Sequence, residues 1–310
     1  MKNTDSHLNS IKTHFGREQL TLLNDDEVTE LMLNSNGALW VERFGKPMAI
    51  ESSMTPTQAM LLMKALAGFH QITLSPAAPI LECECPIDGS RFEGIIPPVT
   101  TAPTFALRKK ALRVFTLQDY VDTGILSKQQ LTVLQTAIIE RKNILIVGGT
   151  GSGKTTFANG LIHQMVESCS NDRIAIIEDT NEIQCAAPNS VIMRSNATTP
   201  MSQLLRATLR LRPDRILVGE VRGGEALSLL KAWNTGHSGG IATIHANSAI
   251  LGLLRLEDCI AEVSQNINRN LIAQMVDIVV FIEKTRSGRQ IKEIIQVTGF
   301  EAGQYHTHAI

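Results

Sequence analysis

Residues 148–155 read G-G-T-G-S-G-K-T, the pattern G-x-x-x-x-G-K-[ST], directly after the apolar run Ile144-Leu145-Ile146-Val147. A buried strand, a glycine loop and then a helix let backbone N–H groups converge on one phosphate. The helix opening at Lys154 adds the positive end of its dipole. In this reading Gly149, Thr150, Gly151, Ser152 and Gly153 line the phosphates. The Lys154 ammonium reaches the β- and γ-phosphates, the Thr155 hydroxyl ligates Mg²⁺, and Thr156 contacts the α-phosphate. The loop therefore implies ATP or a related nucleoside triphosphate, but not what its hydrolysis drives.

Phosphoryl transfer to water needs an acid near the metal and a group that orients the water. The apolar stretch Arg215-Ile216-Leu217-Val218-Gly219-Glu220 ends in a carboxylate. Parallel strands carry ligands at their carboxyl ends, so Glu220 falls beside the phosphates and is the candidate for activating water. Ile177-Glu178-Asp179-Thr180-Asn181-Glu182 likewise follows an apolar run, which points Glu178 and Asp179 at the same edge. His245 closes a third run, Ile241-Ala242-Thr243-Ile244, after the glycine-rich approach Thr235-Gly236-His237-Ser238-Gly239-Gly240. A neutral imidazole there can sense the γ-phosphate through a hydrogen bond. Arg206, Arg210 and Arg212 precede Pro213 and offer charge to a transition state.

The 310-residue length suggests two domains. Before the loop, strands are predicted over 38–43 and 48–51 around Gly45-Lys46-Pro47, a helix over 57–70, and a hairpin of 81–87 with 91–96 around Asp88-Gly89-Ser90. Pro97, Pro98 and Pro103 mark a connector. Residues 105–110 read either as a last strand of this first domain or as the start of the linker. The division adopted is 1–104 for a mixed α/β domain, 105–127 for a linker and 128–310 for the nucleotide domain. The second domain opens at Ser127-Lys128-Gln129-Gln130, a capping box. Strands and helices then alternate, which implies a mostly parallel sheet covered on both faces. A terminal hairpin is predicted from 277–284 and 290–297 around Ser287-Gly288.

Composition narrows the function classes. Lys and Arg total 29 against 30 Asp and Glu, and aromatics are 4%, which gives neither the electrostatic footprint nor the stacking platform of a nucleic-acid motor. No direct, sequence-specific nucleic-acid binding is expected. The polar start MKNTDSHLNS lacks a signal-peptide core and no apolar run spans a bilayer, so a cytoplasmic protein is expected, attached to a membrane only through partners. The five cysteines are scattered, with only Cys83 and Cys85 close together; buried thiols are expected rather than a zinc site.

Four blocks, GGTGSGKTT (148–156), IIEDTNEI (176–183), LRLRPDRILVGEVR (209–222) and TGHSGGIATIHANS (235–248), resemble the Walker A, Asp, Walker B and His boxes of the type II and type IV secretion ATPases. Their order and spacing are most like the type IV branch, in particular the TrbB-type ATPases of conjugal transfer. The absence of any C-x-x-C pair argues against the type II branch. The resemblance implies a RecA-like P-loop domain behind a smaller amino-terminal domain, a homo-hexamer with ATP between the two domains, and Mg²⁺ as cofactor. It also implies partners among the inner-membrane components of a secretion or conjugation machine, which the ring powers in pilus assembly or substrate transfer. By the family pattern Glu220 is the catalytic glutamate, Glu178 the leading acid of the Asp box and His245 the His-box histidine. Arg212 becomes a phosphate contact, and Arg91 and Arg108 become phosphate ligands from the amino-terminal domain. A pilus assembly or retraction ATPase is the near alternative.

Overall fold

The computed structural model describes residues 2–43, 46–110, 114–196, 198–285 and 288–310. Gly45 and Ser287, each named in a predicted turn, lie outside the described residues. The chain forms two compact units, Met1–Leu112 and Arg113–Ile310, each with its own sheet.

The first unit opens with α1 (Lys2–Phe15) and α2 (Arg17–Leu23). Strands β1 (Val28–Leu33), β2 (Ala38–Arg43) and β3 (Ala49–Ser53), helix α3 (Pro56–His70), and strands β4 (Ile80–Glu84), β5 (Arg91–Ile95) and β6 (Thr104–Arg108) follow. The sheet order is β3-β2-β1-β6-β5-β4, and every neighbouring pair is antiparallel. Thr55 caps α3 by accepting from the Gln58 amide, and Pro56 takes the first turn, where its missing N–H costs nothing. The buried stripe Ala59, Leu62, Met63 and Leu66 packs over Leu31, Leu39, Leu81 and Phe92 of the sheet. Between β4 and β5, Gly89 takes a φ of 78°, where a glycine is least strained, and Asp88 accepts from the Ser90 amide at 3.1 Å. Cys85 is buried and Cys83 largely so, and burial pushes both thiols up to about 12.

The linker expectation needs correcting at both ends. β6 pairs with both β1 and β5, so residues 104–108 form an interior strand of the first sheet. On the other side, α4 (Leu117–Asp122) buries Leu117 and Tyr120 in the second unit's core, with the Tyr120 ring edge-on to Phe157. Phe105 and Leu107 are anchored in the first unit's core, and Leu117, Tyr120 and Leu126 in the second unit's. Ala111, Leu112 and Arg113, which the predicted linker includes, lie outside the described residues.

The second unit continues with α5 (Lys128–Ile139), β7 (Ile144–Val147), α6 (Lys154–Ser168), β8 (Ile174–Glu178), β9 (Ser190–Arg194), α7 (Met201–Thr208) and β10 (Arg215–Val221). Then come α8 (Glu225–Trp233), β11 (Ile241–Ile244), α9 (Ala249–Ala261), α10 (Arg269–Met275), β12 (Ile278–Thr285), β13 (Gly288–Glu301) and β14 (Gln304–Ala309). The sheet order is β14-β13-β12-β7-β11-β10-β8-β9. Strands β12 to β9 in that order are mutually parallel; β13 and β14 add an antiparallel meander. Strands β7, β8 and β11 are buried at every position, because α4, α5 and α6 cover one face and α7 to α10 the other. The predicted capping box at Ser127 is present, with Ser127 and Gln130 each bonding the other's amide.

The amino ends of the parallel strands are held by two buried polar side chains. Arg215 is fully buried and donates to Asp172 (2.6 Å), to the Gly239 carbonyl (3.2 Å) and to the Ile138 carbonyl (2.9 Å). Asn143 accepts from the Gly239 and Gly240 amides at 2.8 and 2.9 Å and donates to the Met275 carbonyl at 2.8 Å. These bonds satisfy backbone groups that burial would otherwise leave unpaired.

Candidate nucleotide site

The glycine loop leaves β7 at Gly148 and enters α6 at Lys154. Gly151 and Gly153 have φ of 69° and 98°, the left-handed region that side chains resist. A Cβ on Gly148 would come within 2.4 Å of the Ile282 carbonyl, whereas one on Gly149 or Gly151 would meet nothing within 4 Å. The loop is thus packed tightly where it leaves the sheet and open along its outer curve. No side chain caps α6 at Gly153, as suits a helix start that faces a ligand. Ser152 Oγ is buried and, among the described residues, has no hydrogen-bond partner. Thr155 and Thr156 lie in the first turn of α6, half-buried.

Lys154 is only 7% exposed. Its ammonium donates to the Gly148 and Gly149 carbonyls at 3.1 and 3.2 Å and lies 3.2 and 3.3 Å from the two ring nitrogens of His245. The cation is turned into its own loop. Burial, followed by the charge of Lys154, holds the His245 imidazole below its usual 6.5, against an opposing pull from Glu220. A neutral ring can accept from Lys154 on one nitrogen and donate from the other. Its Nε2 lies 2.5 Å from Glu220 Oε1.

Glu220 stands on a bulge. β10 and β11 pair Val218 with Ala242 and then Val221 with Ile244, so β10 carries one residue more than its partner. The buried Thr243 hydroxyl donates to the Gly219 carbonyl within the bulge at 2.7 Å. Gly219 itself lies against β8: a Cβ there would sit 2.9 Å from Glu178 Cβ. The second oxygen of Glu220, Oε2, accepts from Arg222 Nε and a terminal guanidinium nitrogen at 2.8 and 2.5 Å. The other guanidinium nitrogen of Arg222 lies 2.6 Å from Asp179 Oδ2. Lys154, His245, Glu220, Arg222 and Asp179 therefore form one continuous polar chain across the carboxyl ends of β7, β11, β10 and β8.

Not every predicted residue joins it. Glu178 is 1% exposed, and its Oε2 accepts from the Glu182 and Ile183 amides at 3.0 Å each, so this carboxylate holds the turn after β8. Asp179 is the acid that faces the network. Arg212 is exposed, has a φ of 54° and precedes β10. Glu220 lies near the strand's other end, roughly 16 Å beyond Arg215 at the usual strand rise. Arg212 is thus on the opposite edge of the sheet from the glycine loop. Arg206 and Arg210 are exposed on α7 and the turn that leads to that same amino edge. In the first unit Arg91 and Arg108 are direct partners across β5 and β6, and Arg91 pairs with Glu82 at 3.4 Å. Among the described residues no group of three or more His, Cys, Asp or Glu side chains is placed to hold a metal ion. Sequence reasoning missed Arg222 and Thr243. The G-E-V-R run, a basic residue two places after the glutamate, was the one available signal for the first.

The protein-family model described as "Type II/IV secretion system protein" matches residues 16–297. A probable conjugal transfer protein TrbB of Sinorhizobium fredii is 48% identical over 94% of this chain and 89% of its own length. The conjugal transfer protein TrbB of Rhizobium radiobacter is 44% identical over 96% and 92%. Among solved structures, the VirB11 ATPase of the Brucella suis type IV secretion system aligns with a TM-score of 0.51 and 26% identity, over 96% of this chain and 97% of that one. With the match extending through both sheets and all four motif blocks, the chain belongs to the type II/IV secretion system protein family.

Proposed function

We propose that this chain is an ATP-hydrolysing motor of a bacterial type IV secretion or conjugative transfer system, working as a homo-hexamer on a RecA-like domain and powering pilus assembly or substrate transfer. The observation that carries the reading is the convergence of Lys154, His245 and Glu220 at the carboxyl ends of three parallel strands. Relatives that are conjugal transfer proteins favour conjugation over pilus retraction. No helix among the described residues is long and apolar enough to cross a membrane. Cytoplasmic placement, with attachment to inner-membrane machine components, is part of the proposal.

The residues fit a bound triphosphate. The loop's outer curve has room at Gly149 and Gly151, Ser152 Oγ is left for a partner, and Lys154 is already over the loop. Thr155 would hold Mg²⁺, whose role when bound is to neutralise charge shared between the β- and γ-phosphates. Lys154 exchanges its loop carbonyls and His245 for phosphate oxygens. His245, neutral and released, donates toward the γ-phosphate. Glu220 orients the attacking water. Glu178 supports this edge from beneath rather than acting on the nucleotide. Arg91 and Arg108 are proposed as cations that assist turnover from the first unit, and Arg212, on the far edge, as a contact beyond its own loop.

The test is ATP turnover with native mass, on the wild type and Glu220→Gln. The expected result is a hexamer in both, with nucleotide binding kept and turnover at least ~10-fold lower in the variant. Arg91→Ala and Arg108→Ala are expected to lower turnover as well. Wild-type turnover in Glu220→Gln would refute the assignment of Glu220, and a monomer that binds ATP without hydrolysis would refute the motor.

A further inference from the structure

We infer that Arg222, tethered by Asp179, is a positioning residue that fixes the plane of the Glu220 carboxylate and divides the work of its two oxygens. The inference rests on the reading of Glu220 given above. Glu220 sits on a strand bulge, where no regular pairing dictates where its side chain points. Two groups hold it. His245 approaches Oε1, and Arg222 grips Oε2 through two nitrogens along one edge of its guanidinium. The His245 contact is conditional, because the same ring is bonded to Lys154, the group a triphosphate draws away. The Arg222 contact is not. Its remaining nitrogen is anchored on Asp179, which follows β8, the strand next to β10.

The consequence is a division by oxygen atom. When His245 turns to the γ-phosphate, Oε1 is released to accept from water, while Oε2 stays held and the carboxylate cannot swing. A planar guanidinium suits this task, since its fixed fork binds two carboxylates from two edges at once. A lysine ammonium carries the same charge but no fork. Asp179 accordingly acts through Arg222, which gives the acidic block after β8 a role in orientation.

The experiment uses the whole chain and five variants, Arg222→Gln, Arg222→Lys, Asp179→Asn, Glu220→Gln and the double variant Arg222→Gln with Asp179→Asn, with kcat for ATP and Kd for ADP measured on each. Both Arg222 variants are expected to lose at least ~10-fold in kcat with the ADP Kd within about threefold of wild type. Asp179→Asn is expected to lose about threefold or more, and to add nothing when combined with Arg222→Gln, since both break one tether. Recovery of wild-type kcat by Arg222→Lys would reduce Arg222 to a point charge and overturn the inference. So would unchanged turnover in Arg222→Gln. If either Arg222 variant fails to fold, Asp179→Asn decides: wild-type kcat there overturns the tether. Glu220→Gln separates the two levels. A dead Glu220→Gln beside an active Arg222→Gln sinks only the positioning role, whereas an active Glu220→Gln sinks the reading on which it rests.

Discussion

Replacing Thr243 by Val tests how the bulge at Glu220 is held. Thr243 is 2% exposed and its hydroxyl donates to the Gly219 carbonyl at 2.7 Å. Valine keeps the shape, so no cavity forms, and the change isolates one hydrogen bond. A typical bond of this kind contributes about 1 kcal/mol net, and an acceptor left buried without it costs about 1–3 kcal/mol. The carbonyl has a second lone pair to engage, so about 1–2 kcal/mol is the expected loss. For a unit of this size that lowers the melting midpoint by roughly 2–8 °C. The carbonyl belongs to the residue before Glu220, so its release also loosens the carboxylate. A kcat lower by about three- to tenfold at unchanged ADP affinity is expected, since small misplacements of a reacting group are costly. Thermal unfolding and steady-state turnover measure the two effects, and Thr243→Ser, which keeps the hydroxyl but gives up a buried methyl, restores the turnover. A Val variant that melts within 1 °C (roughly, the resolution of such a scan) and turns over normally would refute the idea that this bond sets the bulge.

Two further expectations concern the same edge. Gly219→Ala places a methyl group against Glu178, whose carboxylate is pinned by two amides, so the strand ends must part; a loss of about 1–3 kcal/mol in denaturant unfolding is expected. The lowered pKa of His245 means the folded state disfavours the charged ring. Its contribution to stability is therefore complete above the usual 6.5 and declines as pH falls from there toward the lowered value. His245→Gln should flatten the slope of stability against pH below 6.5, and an unchanged slope would contradict the cause assigned.

Legibility in the sequence followed the range of the interactions. The glycine loop could be read because its residues are contiguous and their backbone demands are local. Glu220 and His245 could be read because each ends an apolar run, and carboxyl ends of parallel strands share an edge. Arg222 and Asp179 could not be joined on paper, since their contact depends on β8 lying beside β10. Which of the adjacent acids Glu178 and Asp179 faces the network could not be read for a related reason: it is decided by the amides of Glu182 and Ile183. In the first unit β1 went unread because a bulge between Val28 and Glu30 breaks the alternation. Helix α1 went unread as well; it is mostly polar, and buries Ile11 and Phe15 at its carboxyl end.

The buried Arg215 and Asn143 give the two rims of the second sheet unlike mechanical characters. Helix α5, the segment after α6, the glycine approach to β11 and the end of α10 are stitched together at the amino rim by bonds that are buried or largely so. At the opposite rim Lys154 and His245 hold each other through contacts that a ligand can exchange. A sheet built this way is a lever with a fixed heel.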